Sequence, residues 1–217
     1  MKKSILVIGA GGIGGLLLHY LSRSIAFSGP LKANITIMDG DIVERRNLPH
    51  QPFSHTNIGD YKVTSLVEHF SKTGIFTEQG IEIHPITSDF SDRNILDQFD
   101  LVVVAVDREK PRNIVHGYAE QWLDIRARGD GFVMWSNLDD FQVLQSLPKL
   151  PEGVSTSCQL DEAIELGNIQ FGFALAAAHG AQWIVQWLRG ASTPPGRIYS
   201  IHMGQLPLPE LLQELNQ

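Results

Sequence analysis

The stretch SILVIGAGGIGG at residues 4–15 decides the fold, because a short apolar run passes directly into a cluster of glycines. The run from Ser4 to Ile8 is rich in β-branched residues, which predicts a buried parallel strand. Gly9, Gly11 and Gly14 follow at the spacing G-x-G-x-x-G. Between a strand and a helix, this spacing provides a tight turn, a close approach of backbone to phosphate, and close packing of helix on strand. Since a helix N-terminus offers free N–H groups to an anion, the stretch predicts a nucleotide-binding protein.

Outward from this turn, apolar runs alternate between strand and helix periodicity. The strands are predicted at 4–8, 34–38, 81–86, 100–106, 132–135 and 197–203, and the helices at 12–26, 60–72, 92–98, 111–126 and 168–189. Asp60 is expected to cap the helix that it precedes. The alternation predicts an α/β, Rossmann-like fold, with a mostly parallel twisted sheet and helices on both faces. We expect one domain over residues 1–217, with a crossover loop around 137–160.

Composition narrows the class of protein. The chain of 217 residues has a net charge of −7, which argues against a nucleic-acid partner. Its single cysteine excludes an internal disulfide and a cysteine-cage zinc site within one chain, and fits a reducing cytoplasm. The most hydrophobic window, Phe171 to Leu188, is broken by His179 and two glutamines. It predicts a buried helix and no membrane partner, since a membrane span needs about 20 apolar residues.

Charged residues follow the predicted strands at their carboxyl ends. Asp39 comes after the second strand, where an acid can reach a ribose hydroxyl, and Asp41 is two residues further on. Lys62 stands at the start of the next helix, and Asp107 and Arg112 follow the strand at 100–106. A hydride-transfer enzyme needs only the glycine turn and the ribose acid. The additional charges fit a nucleoside triphosphate, with Mg²⁺ on a carboxylate and cations against the phosphates.

Three spaced motifs carry these charges. They are Asp39-x-Asp41-x-Val43-x-x-x-Asn47-Leu-x-x-Gln51, then Gly59-x-x-Lys62, then Asp107-x-x-x-x-Arg112-Asn113. Together they resemble the ThiF/MoeB/ubiquitin-activating family over roughly residues 4–189. The resemblance implies ATP-dependent adenylation of the C-terminal glycine carboxylate of a ubiquitin-like or sulfur-carrier protein. It also implies a homodimer and the cofactors ATP and Mg²⁺.

The resemblance implies a role for each matching position. The residues expected to bind nucleotide are Gly9, Gly11, Gly12, Gly14, Asp39, Asp41, Asn47, His50, Gln51 and Lys62. Asp107 would hold Mg²⁺, and Arg112 would orient the loop that carries it. Lys62, Asp107, Arg112 and Cys158 are the expected catalytic residues.

Two positions need separate comment. His50 stands where the family usually has arginine, and a neutral imidazole is a poorer phosphate ligand than a guanidinium. Arg45 or Arg46 could substitute for it, or His50 could be protonated against phosphate. Cys158 lies in the polar segment VSTSCQ, where it could accept the acyl group as a thioester, as a loop cysteine does in the family. Ser157 could cap the next helix and favour the thiolate.

Alternatives stay open at this stage. Cys158 could be a small buried hydrophobe, and Asp107 could be the N-cap of the helix that contains Pro111. Trp122, Trp183 and Trp187 occupy predicted helical positions and suit core or dimer contacts. An NAD-dependent oxidoreductase would explain the glycines and Asp39 but not Lys62 and Asp107. A non-catalytic partner-binding protein of the same fold would explain His50.

Overall fold

The computed structural model describes residues 2–74, 80–139, 159 and 161–207. Cys158 and most of the expected crossover loop lie outside the described residues. The strands are β1 (Lys3–Ile8), β2 (Ala33–Met38), β3 (Ile81–Ile86), β4 (Leu101–Val104), β5 (Trp122–Arg128), β6 (Gly131–Ser136), β7 (Arg197–Ser200) and β8 (Gly204–Leu206). The α-helices are α1 (Gly12–Phe27), α2 (Lys62–Lys72), α3 (Glu109–Tyr118), α4 (Asp161–Glu165) and α5 (Gly172–Leu188).

The described strands form one eight-stranded sheet in the order β3-β2-β1-β4-β5-β6-β7-β8. The strands from β3 to β5 in this order are parallel, and β6, β7 and β8 add antiparallel pairs at one edge. In the register of β1, Ile8 lies beside Met38 on one side and Val104 on the other. The carboxyl ends of three strands therefore meet at one edge, where the strand order reverses and α/β folds bind their ligands.

The sheet is covered on both faces. Alternate side chains of β1 enter two separate apolar clusters, with Val7 in one and Ile8 in the other. The first cluster joins α1, α2 and α5, and includes Leu17, Phe70 and Trp183. The second contains residues of α3 and of the 3₁₀ helix Arg93–Gln98. The predicted α/β, Rossmann-like fold is confirmed.

One predicted helix is wrong over half its length. The segment 111–126 was expected to be a single helix, but α3 ends at Tyr118 and the chain continues as β5. Leu123 and Ile125 face the first cluster, whereas Trp122 faces the second, as the two-residue period of a strand requires. Pairing with β4 and β6 provides the backbone hydrogen bonds of β5. Trp122 therefore does not occupy a helical position, although it is buried.

Two smaller predictions also need correction. Asp60 does not cap α2, because the N-cap is Tyr61 and no side chain makes the capping bond. The backbone carbonyl of Asp60 instead accepts a hydrogen bond from Val43 N–H at 2.9 Å. The strand expected at 197–203 ends at Ser200 as β7, and residues 201–203 form a turn that leads into β8.

The helix predicted at 168–189 is α5, which begins only at Gly172, and Trp183 and Ile184 on this helix are buried, as predicted for the hydrophobic window. None of the helices in the described part of the chain combines the length and the hydropathy that a membrane span requires.

Candidate active site

A cavity of about 360 Å³ lies at the carboxyl edge of the parallel strands. Its predicted lining residues are Gly9, Gly11, Gly12, Asp39, Asp41, His50, Gln51, Lys62, Asp107 and Arg112. Polar lining residues that the sequence analysis did not single out are Asp89, Ser91, Arg108, Lys110 and Arg126. The structure therefore brings residues from three separate motifs to one place. Gly14 and Asn47 do not line the cavity.

The three glycines of the turn are required for different structural reasons. Gly9 has φ +105°, and a Cβ there would lie 2.6 Å from the carbonyl oxygen of Ala105. At Gly14 a Cβ would lie 1.8 Å from the carbonyl oxygen of Gly9, so this glycine allows α1 to pack on the turn. At Gly11 the nearest neighbour is the Gln51 amide nitrogen at 3.8 Å. Gly11 thus leaves space on the cavity side, where a ligand can approach the backbone.

Asp39 anchors the turn from the end of β2. One carboxylate oxygen accepts a hydrogen bond from Ala10 N–H at 2.7 Å, and the other accepts one from Asp41 N–H at 2.8 Å. Burial raises the pKa of Asp39, although these two hydrogen bonds and the Lys62 charge act in the opposite direction. The carboxylate therefore holds two loops together while it lines the cavity.

Lys62 enters the cavity from the first turn of α2. Its ammonium donates to the Asp41 carboxylate at 2.7 Å, and its backbone N–H donates to the Asp41 carbonyl at 3.0 Å. The Lys62 residue is 6% exposed. A buried ammonium needs a charged partner, and Asp41 supplies one.

His50 and Gln51 are presented by a turn that Asn47 builds. The Asn47 carbonyl accepts backbone hydrogen bonds from both residues, at 3.2 and 2.9 Å, and its side chain accepts one from Glu44 N–H at 2.8 Å. Asn47 therefore shapes the site from outside the cavity.

The two side chains that this turn presents have unused polar atoms. Nδ1 of His50 and Oε1 of Gln51 are buried and have no hydrogen-bond partner among the described residues. Burial, reinforced by the charge of Lys62, lowers the pKa of His50. Because buried polar atoms are rarely left without partners, these two atoms fit a polar ligand in the cavity.

Asp107 lies in the loop between β4 and α3. The helix begins at Glu109 with Arg108 as its N-cap, so the alternative role of Asp107 as the cap of this helix is wrong. Arg112 is 3% exposed and donates to the carbonyl of Val106 and to the Asp124 carboxylate. The arginine thereby ties the residue before Asp107 to β5.

Asp124 and Arg126 are site residues that sequence reasoning missed. Asp124 is fully buried, and Arg126 donates to it at 2.8 Å and to Glu109 at 3.0 Å. Arg126 also lines the cavity. The signal that could have found them is the alternation of Asp124 and Arg126 with the apolar residues Leu123, Ile125 and Ala127, which is typical of a strand.

Within the described ranges, no group of three or more His, Cys, Asp or Glu side chains is arranged to hold a metal ion by itself. The cavity does offer carboxylate oxygens, which are hard donors of the kind that Mg²⁺ prefers. Mg²⁺ commonly binds through one or two carboxylates together with substrate phosphates. The residues present therefore fit a cation that is shared with a phosphate ligand.

Comparison with known sequences agrees with this geometry. A model of the ThiF family matches residues 1–203. The adenylyltransferase and sulfurtransferase MOCS3 of Culex quinquefasciatus is 32% identical over 117 residues, which cover 53% of this chain and 25% of that protein. The corresponding UBA4 protein of Candida albicans is 29% identical over 117 residues. The chain thus aligns with a quarter of the length of these curated relatives.

Comparison with solved structures shows a shared fold. E. coli MccB with MccA-N7isoASN superimposes with a TM-score of 0.66 at 19% identity, over 95% of this chain and 64% of MccB. E. coli MccB with ATP gives a TM-score of 0.60 at 19% identity, with the same coverage. PaaA gives 0.63 at 16% identity. At these identities the likeness concerns the fold alone.

Proposed function

The chain belongs to the ThiF family, and on this premise we propose that it is an ATP-dependent adenylyltransferase. Its substrate would be the C-terminal glycine carboxylate of a ubiquitin-like or sulfur-carrier protein. The observation that carries the proposal is the convergence of Gly11, Lys62 and Asp107 on one cavity. The curated relatives named as adenylyltransferases support it.

The order of the strands gives the proposed direction of the nucleotide. The cavity extends across the carboxyl ends of β2, β1, β4 and β5, which are neighbours in the sheet and lie about 4.8 Å apart. We place the ribose at Asp39 and the phosphates over Gly11 and Gly12, near Lys62. The end of the cavity at Arg126 and β5 is then left for the carboxylate substrate. A guanidinium there would offset the repulsion between two anions that must meet.

The chemistry proposed is a substitution at the α-phosphorus. A carboxylate oxygen forms a bond to this phosphorus, the bond to the bridging oxygen breaks, and its electron pair leaves with pyrophosphate. The Lys62 ammonium would stabilise the charge that develops on the phosphate oxygens. Gly11 and the residues after it would hold the phosphates through backbone N–H groups at the start of α1.

Asp107 is the residue we propose to hold Mg²⁺, which supplies charge neutralisation at the phosphates when it is bound. Arg112 would keep the loop of Asp107 in place through the Val106 carbonyl. Both residues line the cavity, as their proposed tasks require.

We propose Cys158 for a second step, in which the thiolate attacks the acyl carbon and AMP leaves. Cys158 itself lies outside the described residues. The support is local. Gln159, its neighbour, is 2% exposed and hydrogen-bonds to both the N–H and the carbonyl of Gln170 just before α5. The residue that follows Cys158 in the sequence is thus fixed against the start of α5.

The decisive experiment is exchange of labelled pyrophosphate into ATP, with ubiquitin-like proteins that end in glycine as candidate substrates. We expect exchange with the wild type and little with Asp107→Ala. Asp97→Ala removes an exposed carboxylate on the 3₁₀ helix and serves as the matched control. Absence of exchange in wild type and Asp107→Ala alike would argue strongly against the proposal.

A separate titration with ATP and with NAD distinguishes the oxidoreductase alternative. We expect ATP to bind more tightly than NAD, because an NAD site requires the glycine turn and Asp39 but not Lys62 and Asp107. Binding of ATP without any exchange would instead favour a non-catalytic partner-binding protein.

A further inference from the structure

Asp124 is the most enclosed charge near the cavity. Its carboxylate has no exposed surface, yet three groups that can carry positive charge surround it. The Arg112 guanidinium donates to one oxygen, Arg126 Nη2 lies 2.8 Å from the other, and His116 Nε2 lies 3.0 Å from it. Removing a carboxylate from water costs several kcal/mol, so its partners must offset a large penalty.

The contacts of Asp124 connect β5 to the loop that carries Asp107. Arg112, which binds Asp124, also donates to the Val106 carbonyl, one residue before Asp107. Arg126, which also binds Asp124, donates to Glu109 at 3.0 Å, two residues after Asp107. The loop is therefore held on both sides of Asp107 by arginines that share one buried carboxylate.

A third contact fixes the start of the same loop. A Cβ at Gly9 would lie 2.6 Å from the Ala105 carbonyl oxygen, so the glycine turn and the loop are packed against each other. Gly11 and Asp107 line the same cavity. Small movements of the loop would thus change the separation between Asp107 and a phosphate on the glycine turn.

Resting on the proposed function, we infer that Asp124 is a positioning residue, which sets Asp107 to bind the magnesium–triphosphate through Arg112 and Arg126. Asp124 does not itself line the cavity. Buried ion pairs are often no more stabilising than apolar residues of the same size, whereas removing one partner is costly. A role in orientation gives a physical reason for burying this charge beside the site.

The test is calorimetric binding of the non-hydrolysable ATP analogue AMPCPP, with and without MgCl₂, to the full chain. For the wild type we expect Mg²⁺ to increase the affinity. Asp124→Asn keeps the shape of the side chain. In this variant the increase in AMPCPP affinity that Mg²⁺ produces should fall by about 10-fold to 100-fold, as is typical when a residue that supports a metal ligand is replaced. The affinity without Mg²⁺ should change much less, because Lys62 and the glycine turn are untouched.

The matched control is Asp100→Asn. Asp100 precedes β4 at the opposite edge of the sheet and accepts from the Lys3 ammonium at 2.8 Å. It should lose some stability and keep the full gain from Mg²⁺. This control separates a general loss of stability from a loss of orientation at Asp107.

Glu109→Gln keeps the test decisive if Asp124→Asn does not fold. It removes the other carboxylate bound by Arg126 and leaves Asp124 in place, so the same loss should appear in smaller form. A folded Asp124→Asn or Glu109→Gln protein with the full gain from Mg²⁺ overturns the inference. A wild type that binds no AMPCPP in either condition overturns the proposed function itself, so the two failures can be told apart.

Discussion

Lys62 places its ammonium 2.7 Å from the Asp41 carboxylate, and the lysine side chain is buried whereas that of Asp41 is more than half exposed. The pair therefore has one partner inside the cavity wall and one at its rim. The Asp41 carboxylate holds the Lys62 ammonium in position before any ligand arrives. The contact with Asp41 already offsets the cost of removing the Lys62 ammonium from water. A phosphate that enters the cavity therefore meets a cation that is already in place, which favours electrostatic catalysis.

Lys62→Met should separate binding from stability. The substitution removes a charged hydrogen bond to phosphate, worth about 1.5–3 kcal/mol, so ATP affinity should fall roughly 10-fold to 100-fold. Stability should change by less than about 1 kcal/mol, because an apolar side chain replaces a buried charge whose partner can turn to water. Calorimetric titration and thermal unfolding measure the two effects.

Lys72→Met is the control for this prediction. Lys72 ends the same helix, is mostly exposed, and lies 3.8 Å from Glu68. It should leave both ATP affinity and stability nearly unchanged, since exposed pairs contribute little. Equal ATP affinity in Lys62→Met and the wild type would remove Lys62 from the site.

Much of the site could be predicted because it depends on local patterns. The glycine spacing fixes the turn, and parallel strands bring their carboxyl ends to one edge, so the meeting of Asp39, Lys62 and Asp107 follows from strand order. The task of Asn47 could not be predicted in the same way. Its hydrogen bonds show that it builds a turn, a contact pattern that spacing alone does not reveal.

The missed part of the site depends on contacts between distant elements. The segment 111–126 contains no proline after Pro111 to end a helix, so helix α3 and strand β5 were predicted as one element. Once β5 is a strand, Asp124 faces Arg112 of α3. That pairing arises from the packing of a helix on a sheet, which a single sequence does not specify.

Gly14 and Gly11 should respond differently to the same substitution. In Gly14→Ala the new Cβ would lie 1.8 Å from the Gly9 carbonyl oxygen, and backbone cannot easily move away. We expect a loss of about 3 kcal/mol or more in the free energy of unfolding. In Gly11→Ala the nearest atom is 3.8 Å away, so the protein should fold normally.

The effect of Gly11→Ala should appear in ligand binding. Its methyl group would occupy the space where a phosphate approaches the backbone, so ATP affinity should fall while thermal unfolding stays close to that of the wild type. Denaturant unfolding and calorimetric titration of both variants give the comparison. A Gly11→Ala protein that binds ATP as the wild type does would mean that phosphate lies elsewhere.

Cys158→Ala should separate the two proposed chemical steps. Pyrophosphate exchange needs only adenylation, so the variant should retain it at about the rate of the wild type. A covalent adduct with the substrate protein should form in the wild type, disappear with dithiothreitol, and be absent from the variant. Gel electrophoresis with and without the reductant measures this. An adduct that survives the substitution would assign the acyl group to another residue.

His50 should make nucleotide binding depend on pH. Burial and the Lys62 charge hold the pKa of the free histidine below its ordinary value of 6.5, so it is neutral at pH 7. A bound triphosphate stabilises the imidazolium and raises the pKa in the complex, so binding takes up a proton between the two pKa values. Affinity should therefore rise as the pH falls through the pKa that His50 has in the complex. Titrations of AMPCPP in buffers of different ionisation enthalpy measure the uptake.

Two variants serve as controls. His50→Asn cannot be protonated, so the protons that it takes up on binding are those of the phosphates themselves. His50→Arg carries a permanent charge, so neither variant should take up the proton that His50 takes up in the wild type. Equal uptake in His50→Asn and the wild type would show that the imidazole does not face the phosphates.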